Sequence, residues 1–268
     1  MGQRVPVTSR VRVSMYNESM APALYRRRAA VLAALLAAAP APALGWTAKT
    51  RATVALEGAR LAPPDLARQI EKHRAVYLEA AQAPVAPGGD RQLAAEVEAA
   101  VAAIQEHRPF AEIVARLGGI AARVAEANDP LAAAGGDPDE ARYAADYARY
   151  VESAEGRFPL IFYGLRPQLA AARPDLAGLA AASRTRAGAL SASIGLEYRR
   201  IGYASGLGRF DDRSTAFAVG SLCFSHAVTD LVSVYRSVWL RAGGADPRGG
   251  LQPGAGRLLQ VTRAGGRR

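Results

Sequence analysis

His226 and Asp230 stand four residues apart, and Cys223 stands three before His226. On a helix these spacings put the side chains on one face. His and Asp at that spacing make half of a metal site, or an imidazole oriented by a carboxylate. Cys and His three apart make a thiolate–imidazole pair. Each arrangement also has a plainer reading. No third ligand stands near His226 and Asp230 in the sequence, and an interior His–Asp hydrogen bond satisfies both. Leu222 and Phe224 flank Cys223, as they would a small buried thiol in a core.

Two carboxylate pairs come next. Glu126 with Asp129 could hold one hard cation if Asp129 turned inward. Asp211 and Asp212 precede Arg213 and Ser214 and read first as a loop and helix cap. Glu57 and Glu152 have no partner evident in the sequence. His73 lies in the charged run Glu71-Lys72-His73-Arg74, and His107 ends a helix before Pro109. Both are expected to be solvated or capping. Tyr143, Tyr147 and Tyr150 form a stripe at helical spacing, as core packing or as the wall of a cleft. The string GLGRF at 206–210 lacks the third glycine and the strand-before-helix setting of a dinucleotide loop.

The elements that must position these residues read as helices throughout. Ala-rich segments with apolar residues three and four apart alternate with Pro/Gly breaks. The pattern predicts helices over 50–62, from an Asp65 cap to about Ala81, over 91–107 and over 109–127. It predicts another opened by Asp137-Pro138, with Arg142 and Asp146 paired on it, then one over 175–202 and a last from Ser214 to about Leu240. RFPLIFYG at 157–164 is a connector. Gly118-Gly119 in the middle of a helix costs about 1 kcal/mol each and makes sense where another backbone passes close.

Composition bounds the function. The chain has 268 residues and a net charge of +10. Residues 1–45 carry six Arg and one Glu, and residues 241–268 six Arg and one Asp, so each end contributes +5. The interval between holds 22 basic and 22 acidic residues. A neutral body argues against a groove for nucleic acid. The 32 Arg against two Lys, in an Ala- and Gly-rich chain, suit a GC-rich genome. A single cysteine excludes an intramolecular disulfide framework and a cysteine-based zinc site.

Tyr25-Arg26-Arg27-Arg28 followed by AAVLAALLAAAPAPALG reads as a signal peptide, with about eleven apolar residues before Pro40, too few to span a bilayer. Ala43 and Gly45 suit cleavage before Trp46, and an uncleaved N-terminal anchor is the competing reading. The expected organisation is a leader over 1–45, one all-α domain over 46–242 and a disordered Gly/Arg-rich tail over 243–268. The expected location is periplasmic or secreted.

Several stretches together are similar to one family. WTAKTRATVALEGARLAPPDLARQIEKHRAVYLEA, LGGIAARVAEANDPL, YAADYARYVESAEGRFPLIFYG and FDDRSTAFAVGSLCFSHAVTDLVSVYRSVWLRAGG resemble bacterial members of the zinc-dependent phospholipase C and single-strand nuclease superfamily. The resemblance implies an all-α bundle, export, and cleavage that exposes a Trp whose amine and carbonyl bind zinc. Trp46 suits that role. At the family's other ligand positions the chain departs. Arg51 stands at the His of a Lys-Thr-His wording, Ala122 and Glu126 at the His and Asp of a Gly-x-x-His-x-x-x-Asp helix, and Ala132 at the His after an Asn-x-Pro turn. Ala144 and Ala148 stand at the His and Glu of the following helix. Three His in the whole chain are too few for a three-zinc cluster. The expectation is a scaffold without its metal cluster and without a bound cofactor, serving as a binding or structural module. Arg51, Ala122, Ala132, Ala144 and Ala148 would line the former cleft, open to lipid or another apolar ligand. The alternative is a metal-dependent phosphodiester hydrolase holding zinc through Trp46, Glu126 and other residues, with His226 and Asp230 as weak candidates. A weak contact of the Arg-rich tail with anionic membranes is a third expectation.

Overall fold

A computed structural model of the chain describes residues 45–85, 89–132, 137–171, 173–245 and 257–258. The expected leader therefore lies outside the described residues apart from Gly45. Most of the tail does as well. The described residues form an all-α domain of nine α-helices: α1 (Ala48–Leu61), α2 (Pro64–Lys72), α3 (Arg74–Gln82), α4 (Arg91–Gln105), α5 (Phe110–Ala127), α6 (Glu140–Ala154), α7 (Leu176–Gly188), α8 (Ser191–Arg200) and α9 (Thr215–Arg241). One two-residue ribbon, β1 (Ile161–Phe162) with β2 (Arg257–Leu258), is antiparallel. Two residues of the expected disordered tail are thus paired in a strand.

Local chemistry sets the helix ends. The Thr47 hydroxyl accepts from Thr50 N–H at 3.2 Å and starts α1, and Pro63-Pro64 stops it, with Pro64 opening α2 where no amide donor is needed. The single helix expected to Ala81 is instead two. Asp65 lies in the first turn of α2 without a capping bond, and the chain breaks at His73. The restart at Arg74 turns Tyr77 and Ala81 into the core and leaves Val76 at the surface. The helix expected over 175–202 also divides, at Ala189-Leu190, into α7 and α8.

Helix α5 lies at the centre and packs most extensively on α3, then on α1, α4 and α9. Gly118 allows this approach, since a Cβ there would meet the Tyr77 carbonyl oxygen at 2.4 Å. Gly119 has open space around it, so only the first of the two glycines answers to a neighbouring backbone. Helix α9 is long and apolar enough to cross a membrane, but its most apolar stretch is 83% buried inside the fold and makes the spine of the core. The Tyr77 hydroxyl reaches the Ala55 carbonyl at 2.8 Å, the Tyr235 hydroxyl reaches that of Leu117 at 2.9 Å, and the two hydroxyls are 2.8 Å apart. This one buried pair ties α1, α3, α5 and α9.

Helix α6 begins at Glu140, after Asp137-Pro138. The Asp137 carboxylate instead accepts from the Asp139 N–H, the Tyr143 hydroxyl and Arg199. The expected Arg142–Asp146 pair gives way to other partners. Arg142 lies 3.7 Å over the Tyr203 ring, and Asp146 accepts from the Tyr198 hydroxyl, the Ser205 hydroxyl and the Gly206 N–H. Tyr143, Tyr147 and Tyr150 are all core residues, and Tyr143 stacks on Tyr198 with ring centres 4.8 Å apart.

Candidate functional site

The start of α1 and the end of α5 meet around Trp46. Its indole is buried, and its backbone N–H donates to the Asp129 carboxylate in a short hydrogen bond. The other Asp129 oxygen accepts from the Leu131 and Ala132 N–H groups, an Asx-type turn that the Asn128-Asp129-Pro130 sequence favours. Asp129 has therefore turned inward. The Arg51 guanidinium donates to the Trp46 carbonyl at 2.9 Å and to the Gln82 carbonyl at 2.7 Å. Burial pushes the Arg51 pKa down, and the nearby charges of Glu126 and Asp129 oppose that. Burial raises Glu126, and raises Asp129 to about 6 against the three N–H donors that favour its ionised form.

Other positions at which the family resemblance places ligands carry no donor. Ala122, Ala144 and Ala148 are buried, and Ala132 is exposed. Among the described residues no group of three or more His, Cys, Asp or Glu side chains could hold a metal ion. The residues present around Trp46 do not fit a three-zinc cluster. Asp129 and Glu126 supply carboxylates, but a guanidinium already holds the Trp46 carbonyl, and a fixed cation there repels a second one.

A second polar cluster lies on α9. Asp230 is fully buried and takes four donors. These are Arg166 Nε at 2.9 Å, Arg186 Nη2 at 2.8 Å, the Ser183 hydroxyl at 2.9 Å and the Asn128 amide at 3.3 Å. The expected His226–Asp230 pairing gives way to this cluster. His226 instead stacks on Tyr163 with ring centres 4.3 Å apart. Burial, with Arg186 adding to it, lowers His226 to about 4, while burial raises Cys223 to about 12. Both shifts run against a thiolate–imidazolium pair at neutral pH.

The loop that carries Tyr163 and Arg166 is held in an unusual way. The Ser225, Thr229 and Ser233 hydroxyls, spaced four apart on α9, accept the N–H groups of Ile161, Tyr163 and Arg166 at 3.2, 3.1 and 3.2 Å. Helix hydroxyls thus do the work of a partner strand. Sequence reading missed Arg166, Arg186, Ser183 and Asn128, because nothing distinguishes two arginines among 32.

No family model, no curated protein and no solved structure matches this chain. The remaining sequence candidates have local partners. Glu57 pairs with Arg60, Glu152 with Lys49 at 3.4 Å, and Asp212 with Arg157. Asp211 accepts from the Arg213 N–H, and the Ser214 hydroxyl accepts from Phe217 to cap α9. His73 closes α2, and His107 lies beyond α4 in the left-handed region, with φ 54°.

Proposed function

We propose that this is an exported all-α protein related to the zinc-dependent phospholipase C superfamily, with its metal ligands replaced, that acts as a binding or structural module. The observation that carries this reading is the Arg51 guanidinium on the Trp46 carbonyl, beside Glu126 and Asp129. A permanent cation supplies the positive charge that the buried Asp129 and the half-buried Glu126 carboxylates demand. The buried alanines at 122, 144 and 148 add no ligand of their own. In this reading the protein has no resident cofactor and does not engage nucleic acid. Its partners are a lipid or another apolar ligand, with a weak contact of the Arg-rich tail to anionic membranes.

One observation favours a second reading, a phosphodiester hydrolase with a reduced zinc site. Asp129 lies on the very nitrogen that cleavage before Trp46 would free as an amine. Elemental analysis of exported protein with a verified N-terminus at Trp46 separates the two. The first reading expects less than about 0.2 zinc per chain in protein with a cooperative melt. One or more tightly held zinc ions would overturn it.

A further inference from the structure

Two guanidiniums converge on one carboxylate at Asp230, so the cluster carries one positive charge in excess. Arg166 and Arg186 are anchored from below by Asp230, yet 26% and 29% of their side chains remain exposed. Neither is free to swing away. The Arg166 backbone is pinned to Ser233 at 3.2 Å, and Arg186 Nη2 also donates to the Asn128 side-chain amide oxygen at 2.8 Å. Beside them, one helical turn from Asp230, lies the half-buried Tyr163–His226 stack.

Two buried nitrogens here have no hydrogen-bond partner, Arg166 Nη2 and His226 Nδ1, and the latter donates when the neutral imidazole carries its proton there. An orphaned buried donor is costly, and the Arg166 guanidinium, which can only donate, calls for an acceptor that the chain does not supply. The charged groups that act on His226 are Arg186, Asp230 and Arg166. They sum to one positive charge, and the imidazole beside them is neutral at pH 7. Guanidinium forks recognise planar oxyanions with two parallel hydrogen bonds. A single negative charge balances the excess, whereas a phosphate dianion would over-compensate it.

We propose that Arg166, Arg186 and His226, flanked by Tyr163, form a binding site for a carboxylate ligand with an aromatic or apolar body. The carboxylate accepts from the two guanidiniums and the imidazole, and the ligand body lies along the Tyr163 ring. The site stands independently of the metal question around Trp46.

Titration of the full chain with sodium benzoate tests this, at pH 7 and fixed ionic strength, followed through the imidazole nitrogen resonances of the three histidines. The expected result is a saturable shift of His226 alone, with His73 and His107 unmoved and inorganic phosphate binding more weakly. The Asp230→Asn, Arg186→Gln double variant removes one cation and one anion together and should weaken benzoate at least about tenfold, the loss of one charge-assisted pair. No saturable His226 shift overturns the proposal, as does phosphate binding more tightly than benzoate, or equal binding by a folded double variant. The wild-type titration decides the matter even if the double variant does not fold.

Discussion

The backbone N–H of Trp46 donates to the carboxylate of Asp129, a residue 83 positions away and only 1% exposed. The contact has a pH signature. Burial holds Asp129 at about 6, above its unfolded value near 3.9. Protonated Asp129 therefore favours the fold. Its contribution is fully present below about pH 4 and is lost as pH rises through 6, roughly 3 kcal/mol over that window. Urea denaturation at several pH values from 4 to 7 should show stability falling. Asp129→Asn should flatten that slope, whatever constant cost its amide adds against the Trp46 N–H. An unchanged slope in the variant would show that Asp129 is not the group responsible.

Processing should reverse the sign. In protein that begins at Trp46, the donor becomes an ammonium beside Asp129, which favours the ionised acid. The stability loss between pH 4 and 7 should then vanish or become a gain. Equal pH profiles for cleaved and uncleaved protein would mean that the amine does not reach Asp129.

Arg51 bridges the Trp46, Gln82 and Ala83 carbonyls. Arg51→Met should cost about 1–2 kcal/mol, the worth of charge-assisted hydrogen bonds to one part-buried and two exposed carbonyls. Arg51→Lys should recover only part of that, since a point charge cannot span the Trp46 carbonyl and those at the end of α3. A loss below about 0.5 kcal/mol for the Met variant, read from denaturation midpoints, would remove Arg51 from the account.

The paired glycines of α5 offer an internal control. Gly118→Ala places a Cβ against the Tyr77 carbonyl oxygen at 2.4 Å, and should cost about 1–3 kcal/mol as α3 and α5 are forced apart. Gly119→Ala meets nothing within 4 Å and should stabilise the helix by up to about 1 kcal/mol. Thermal melts of the two variants should move in opposite directions.

Cys223 is buried and its thiol is raised to about 12. Thiol reagents at pH 7.5 should label it only after unfolding. Rapid labelling of the native protein would show instead that the core of α9 opens, and with it the ground beneath His226.

The helices were legible in the sequence because their causes are local. Apolar spacing in α5, the proline pair that opens α2 and the Ser214 cap of α9 act within a turn of the residues they govern. Where the reading failed, a distant partner had decided the outcome. Asp146 left Arg142 for Tyr198, 52 residues on, and the pattern that continued through His73 is broken there, with Tyr77 beyond the break bonded to Ala55 and Tyr235.

By itself the sequence determined an all-α chain, a buried Cys223, a capped final helix and the scarcity of metal-binding side chains, since each follows from residue type and near neighbours. Only the tertiary structure decided that Asp129 turns onto Trp46, and that Arg166, Arg186, Ser183 and Asn128 converge on Asp230 from 64, 44, 47 and 102 residues away. A buried carboxylate must find donors wherever the packed helices bring them, and the order of residues along the chain does not say which those will be.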